Sequence, residues 1–254
     1  MSTTGPVAIL SAIPQELALL ADSLVDADES QLAGQFVVSG SLDGVGVVLA
    51  EAGIGKVNTA VVTTLLMERF RPRLVVFTGV AGGLHPGLGI GDVVVAERTI
   101  QHDTGVLGET GLQRYQPGHM PFFNPTDRFG FPAQPELLER VRARLVGFEL
   151  SSLSREAGGG KNPSQVVFGT VLSGDQFLNS ETHRRLLHAE LGGAAVEMEG
   201  AALAQTAEAL GVDHLVIRSL TDLAGSESTI DFGRFLHEVA ANSARVVRHL
   251  LPVL

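Results

Sequence analysis

The stretch GGAAVEMEGAALAQTAEALGVDHLVIRSLTDLA, residues Gly192 to Ala224, decides how the chain is read. It opens on an apolar strand end, crosses the acidic step Glu197-Met198-Glu199, and continues as a helix of small residues from about Gly200 to Leu210. A second apolar run, Asp213–Ile217, then ends in Arg218-Ser219-Leu220-Thr221-Asp222. Two carboxylates, an arginine and an aspartate thus stand where buried apolar segments stop. Ligands of open α/β sheets bind outside the carboxyl ends of the strands. This unit is therefore expected to carry the site, although each charge taken singly is also what a helix cap or a solvated loop would hold.

The pattern repeats upstream. Pro6–Ala12 is a short continuous apolar run, as in a strand buried on both faces. Pro14 then suits a helix start, because its missing N–H is not needed there. Leu17, Leu19, Leu20, Leu24 and Val25 follow helical spacing, and Glu16 falls in the first turn. An acid there is also favoured by the helix dipole alone. Phe36–Ser41 and Val45–Glu51 read as a hairpin turning at Leu42-Asp43-Gly44. Ala52-Gly53-Ile54-Gly55-Lys56 leads into a helix, Val57 to Phe70, and only superficially resembles a phosphate loop. The Walker spacing fails, and Val57 stands where Ser or Thr is required.

Leu74–Thr78 is a further buried strand, running into the small-residue turn Gly79-Val80-Ala81-Gly82-Gly83. Asp92–Ala96 is another. Between Thr99 and Pro135 the chain is irregular, and so long a loop points to function or an interface. His102-Asp103 within it reads as an ordinary hydrogen-bonded pair, since no second histidine lies at ligand spacing. Gln134–Val146 is amphipathic, Ser151–Pro163 reads as a flexible surface loop, and Val166–Ser173 is a strand leading to Phe177 and Leu178. A final helix from about Phe232 to Leu251 packs on the sheet. Alternating strands and helices predict a sheet covered by helices.

Composition narrows the function. The chain has 254 residues, 44% of them apolar, with 30 glycines and a net charge of −10. Without a basic run it lacks the surface that nucleic acid or an anionic membrane requires. No cysteine is present, which excludes disulfides and thiolate metal sites. The longest charge-free apolar stretch, Leu74–Leu84, falls well short of the roughly 18 residues of a membrane span. MSTTGPVAIL lacks the basic start of a secretion signal. The expectation is a cytoplasmic protein with a small-molecule partner and no cofactor or metal.

Seven stretches together resemble the nucleoside phosphorylase/nucleosidase superfamily, most closely the 5′-methylthioadenosine/S-adenosylhomocysteine nucleosidases. They are AILSAIPQEL (8–17), AGIGKVNTA (52–60), VVFTGVAGGL (75–84), GDVVVAE (91–97), VLSGDQF (171–177), VEMEGAA (196–202) and VIRSLTD (216–222). The resemblance implies one domain over residues 1–254, a three-layer α/β/α fold with a central mixed, twisted sheet. It implies that Glu16 polarises the attacking water, helped by Arg218 and Glu199. Met198 and Glu199, beside Glu197, would grip the ribose, and Phe177 would stack on adenine while the Leu178 backbone reads the base edge. Asp222, next to Thr221, would protonate purine N7. Ile54 and Val80, with Ala81 and Gly82 in the same turn, would line sugar and base.

The chemistry agrees with these roles. Cleaving an N-glycosidic bond builds positive charge on ribose and negative charge on the leaving purine, so a water-holding carboxylate and a general acid are both required. A free aspartate, with a pKa of about 3.9, would be ionised at neutral pH, so the acid must be partly desolvated or share its proton strongly with N7 in the transition state. A phosphorylase must instead hold a dianion with arginines or an amide nest. The related phosphorylases carry arginines at the places that correspond to Ser11–Glu16 and Phe77–Val80; here neither segment has one, and Arg218 faces three acids, so the resemblance implies water as the nucleophile.

Phosphorolysis, a futalosine-type substrate and a non-catalytic nucleoside-binding module are the alternatives. Val80 replaces a frequent Ser, and Gln101–Gly130 is longer than in the commonest members. Its Met120, Phe122 and Phe123 are expected to wall the 5′ pocket or to join a homodimer.

Overall fold

The computed structural model describes residues 5–154, 163–226 and 228–254. The elements run β1 (Val7–Ser11), α1 (Pro14–Ala21), β2 (Val25–Leu32), β3 (Gln35–Leu42), β4 (Val45–Glu51) and α2 (Lys56–Phe70). Next come β5 (Leu74–Gly83), β6 (Val93–Gln101), the short β7 (Gly105–Gly108), β8 (Gly111–Arg114) and β9 (Phe131–Pro132), and α3 (Pro135–Leu145). The chain finishes with β10 (Val166–Ser173), α4 (Glu181–Leu191), β11 (Gly193–Glu197), α5 (Gly200–Ala209), β12 (Asp213–Asp222) and α6 (Ser228–Leu250).

The main sheet has the order β11-β10-β6-β12-β5-β1-β4-β3-β2. It is mixed: β1, β4, β5 and β12 are parallel neighbours, whereas β6 meets β12 antiparallel. β11 pairs with β10 on one side and returns to β5 on the other, through Ala195–Gly83 and Val196–Gly82. Strands β5, β12, β6, β10 and β11 therefore close on themselves, and the carboxyl ends of β5, β11 and β12 come together at one rim. Two apolar cores flank the sheet. One joins Leu10, Val62, Leu66, Phe77 and Leu203 under α2 and α5. The other joins Leu20, Val76, Val141, Ile217 and Val247 under α1, α3 and α6. Three layers result.

Local sequence accounts for most boundaries. Pro135 opens α3, Glu136 sits in its first turn and Arg142 and Arg144 in its last, matching the helix dipole. Arg71 adopts a left-handed conformation to end α2 just before Pro72.

Several expectations need correction. Leu24 and Val25 do not extend α1, which stops at Ala21; Val25–Leu32 is instead an edge strand that, among the described residues, pairs with β3 alone. Its VDADESQL sequence has little strand propensity, and its exposed acids protect a free edge. The small-residue stretch Gly79–Gly83 is not a turn but the buried end of β5, and β12 likewise runs through Arg218 to Asp222. Small residues are needed there: a Cβ on Gly83 would stand 3.0 Å from the Leu220 side chain. The long loop after β6 contains the β7–β8 hairpin, and helix α4 has no counterpart in the sequence reading. Of the surface loop placed at Ser151–Pro163, residues 155–162 lie outside the described residues.

Candidate active site

At the rim where β5, β11 and β12 end lies a cavity of about 630 Å³ including its open mouth. Glu16, Ile54, Val80, Ala81, Gly82, Phe177, Leu178, Glu197, Met198, Glu199, Thr221 and Asp222 all line it, as the sequence reading grouped them. Arg218 does not line it but stands behind, fully buried.

Glu16 enters from the first turn of α1. Its Oε2 accepts the Ala12 and Ile13 N–H groups at 3.0 and 3.2 Å, and its Oε1 accepts that of Val80 at 2.8 Å. Three backbone amides converge on this one carboxylate, a nest of the kind that elsewhere binds phosphate. Burial raises the Glu16 pKa, against the nearby Arg218 charge and those amides.

Glu197 and Glu199 belong to the β11–α5 junction. The Glu197 carboxylate lines the cavity and is at the same time engaged internally. It accepts the Ser173 hydroxyl, the Glu199 and Gly200 N–H groups, and Arg218 Nη2. Gly200 is required for this cap, since a Cβ there would stand 2.9 Å from Val216 and 3.2 Å from Glu197 Oε1. Glu199 accepts the Gly55 N–H at 2.8 Å on Oε1 and Arg218 Nη2 at 3.3 Å on Oε2. Burial pushes its pKa up to about 7, the Glu197 charge adding to the rise and Arg218 opposing it. Arg218 also lies over the Phe77 ring at 4.4 Å, so its cation is held by carboxylates on one side and a π face on the other.

Asp222, the last residue of β12, lines the same cavity. Its Oδ1 accepts the Ala224 N–H at 2.8 Å and its Oδ2 the Thr221 hydroxyl at 3.0 Å. Burial raises its pKa, with the Ala224 N–H the largest opposing influence. The desolvation that an acid role demands is therefore present. Gly82 makes room for it, because a Cβ there would meet Asp222 Oδ1 at 2.9 Å.

The family model described as the phosphorylase superfamily matches residues 6–252. The chain belongs to the phosphorylase superfamily. Among relatives in that superfamily, it is 55% identical over 248 residues to the 5′-methylthioadenosine/S-adenosylhomocysteine nucleosidase of Mycobacterium bovis, covering 98% of this chain and 97% of that one. The nucleosidase of the same name from Bacillus velezensis is 36% identical over 246 residues, covering 96% and 97%. The crystal structure of the Neisseria meningitidis nucleosidase in complex with methylthio-immucillin-A superposes with a TM-score of 0.83 at 32% identity, covering 98% of this chain and 100% of that one.

On this phosphorylase-superfamily scaffold, some lining residues escaped the sequence reading. Ala12, Ile13, Gln176 and Val196 lie inside the quoted motifs and were legible from them. The sequence marks Phe232 only as the start of the final helix, which in fact begins at Ser228. Phe232 lines the cavity and meets the Phe177 ring edge-on, with centroids 6.0 Å apart. His102 and Asp103 were read as a pair, but the Asp103 carboxylate goes instead to Lys56 Nζ and the Asp175 N–H. His102 is packed against Gly174 and its Nε2 has no hydrogen-bond partner among the described residues. Burial lowers its pKa.

Proposed function

We propose that the chain hydrolyses the N-glycosidic bond of 5′-methylthioadenosine and S-adenosylhomocysteine, releasing adenine and the 5′-substituted ribose. Asp222 donates a proton to purine N7 as the bond breaks, which its raised pKa favours. Glu16 holds the water that attacks the sugar carbon, with Arg218 steadying the acids behind it. Glu199 and Met198 hold the ribose, Phe177 stacks on the base, and Ile54 and Val80 fill the remaining wall.

One observation carries the choice of water over phosphate. The amide nest formed by Ala12, Ile13 and Val80 is already filled by the Glu16 carboxylate. A phosphate dianion approaching it finds those donors already taken by the Glu16 oxygens. The same reading makes the protein a cytoplasmic homodimer. In support, Phe122 and Phe123 are 78% and 82% exposed beside Met120, an apolar surface that a second copy would cover.

The test is adenine release from methylthioadenosine, S-adenosylhomocysteine and 6-amino-6-deoxyfutalosine, each at matched concentration. The reading requires the first two to be the better substrates. Turnover of the futalosine compound alone would replace it.

A further inference from the structure

Beside the cavity, outside the groups used above, Lys56 sits in a closed ring of polar contacts. Its Nζ donates to Asp103 Oδ1 at 2.7 Å, and the Asp175 N–H donates to Asp103 Oδ2 at 2.9 Å. The ring closes where the Lys56 backbone N–H donates to Asp175 Oδ1 at 2.9 Å. Lys56 Nζ also reaches Gln101 Oε1 at 3.4 Å and lies 3.7 Å from Asp175 Oδ2. With side chains 17% and 20% exposed, Lys56 and Asp103 are well shielded, while Asp175 is half exposed.

The ring joins three segments that are far apart in sequence. One is the Gly53–Gly55 loop, which supplies Ile54 to the cavity and the Gly55 N–H to Glu199. The second follows β6. The third follows β10 and supplies Gln176, Phe177 and Leu178. Ile54 and Phe177 are both large, apolar and about half exposed, with Phe177 resting edge-on against Phe232 and the Ile54 carbonyl accepting Asn58 Nδ2, so the ring adds a tie between the two walls that neither contact supplies. Gly55, at φ +96°, fits the junction because a Cβ would strain the backbone and stand 3.2 Å from Asp175 Oδ1.

We propose that Lys56 is a positioning residue for the nucleoside. Through Asp103 and Asp175 it sets the separation of the Ile54 and Phe177 walls and keeps the Gly55 N–H on the sugar-binding carboxylate. The inference rests on the nucleosidase reading. Asp222 and Glu16 are anchored to other elements, by Ala224 and by Val80, so loss of the ring should weaken binding more than the chemical step.

Steady-state kinetics with methylthioadenosine on Lys56→Met, Lys56→Arg and Asp103→Asn, with melting curves for each, test it. For Lys56→Met the expected result is a rise in KM of about tenfold with kcat within about twofold of the parent. Asp103→Asn moves KM the same way, and Lys56→Arg recovers most of the loss. An unchanged KM overturns the proposal. So does a fall in kcat alone, or an arginine variant no better than methionine. If Lys56→Met merely unfolds, the Asp103→Asn and Lys56→Arg values decide. Parent protein inert on methylthioadenosine would count against the nucleosidase reading, a separate failure.

Discussion

The Glu16 carboxylate lies 2.8 Å from the backbone nitrogen of Val80, a residue 64 positions away in the chain. That contact joins the first turn of α1 to the end of β5 and fixes one oxygen of the proposed water-holding group. It exists because Gly79 has no side chain. A Cβ at Gly79 would stand 2.6 Å from Glu16 Oε1 and 2.7 Å from Arg218 Nη1. Gly79→Ala is therefore expected to lower kcat/KM by about a hundredfold, since small displacements of reacting groups cost that much. Steady-state kinetics check it, and a parent-like value would mean that Glu16 is not held this way during turnover.

Asp222→Asn keeps the shape of the wall and removes the proton. Turnover should fall by about 10²- to 10⁴-fold, the usual contribution of a general acid. Binding of a nucleoside analogue, followed by calorimetry, should persist. Unchanged turnover would remove Asp222 from its role.

Arg218 is a fully buried cation among Glu16, Glu197 and Glu199, so its removal leaves buried acids uncompensated. Arg218→Met is expected to cost about 3–5 kcal/mol of stability and to lower Tm by roughly 10 °C. A melting scan that moved by only a degree or two would show that the acids discharge themselves by taking up protons.

The pH dependence of stability has a definite sign at Glu199. Its folded pKa of about 7 lies above the ordinary 4.5, so the folded state binds the extra proton between those values. That contribution is complete below about pH 4.5 and is lost as pH rises through 7. Buried His214, lowered to about 4, works in the opposite direction between there and its ordinary 6.5. The comparison that isolates Glu199 is therefore Tm of Glu199→Gln minus Tm of the parent. This difference should grow from pH 5 to pH 7.5, and a flat difference would place the proton elsewhere.

The site was more legible in the sequence than the fold around it. Glu16, Glu199 and Asp222 each follow an apolar run, and that pattern located them at strand ends. What failed was the extent of the strands. Gly79–Gly83 looked like a turn because glycine disfavours strands in general, yet here only small residues allow β11 and β12 to pack on β5. β2 was missed for the opposite reason, since its acids suit an exposed edge and carry no alternating apolar signal. Phe232 and the Lys56–Asp103–Asp175 ring come from segments distant in sequence, and only the folded sheet brings Phe232 to the cavity and the ring beside it. The internal use of Glu197 was likewise invisible, because it depends on Ser173 from a neighbouring strand.

In the proposed reaction water, and not phosphate, takes the sugar from the purine. Adenine release from methylthioadenosine in buffer stripped of phosphate tests it most directly, followed by the same assay with phosphate added and chromatography of the sugar product. Water as the nucleophile requires full activity without phosphate, no gain on its addition, and free 5-methylthioribose. No adenine until phosphate is supplied, with a sugar 1-phosphate as product, would contradict it.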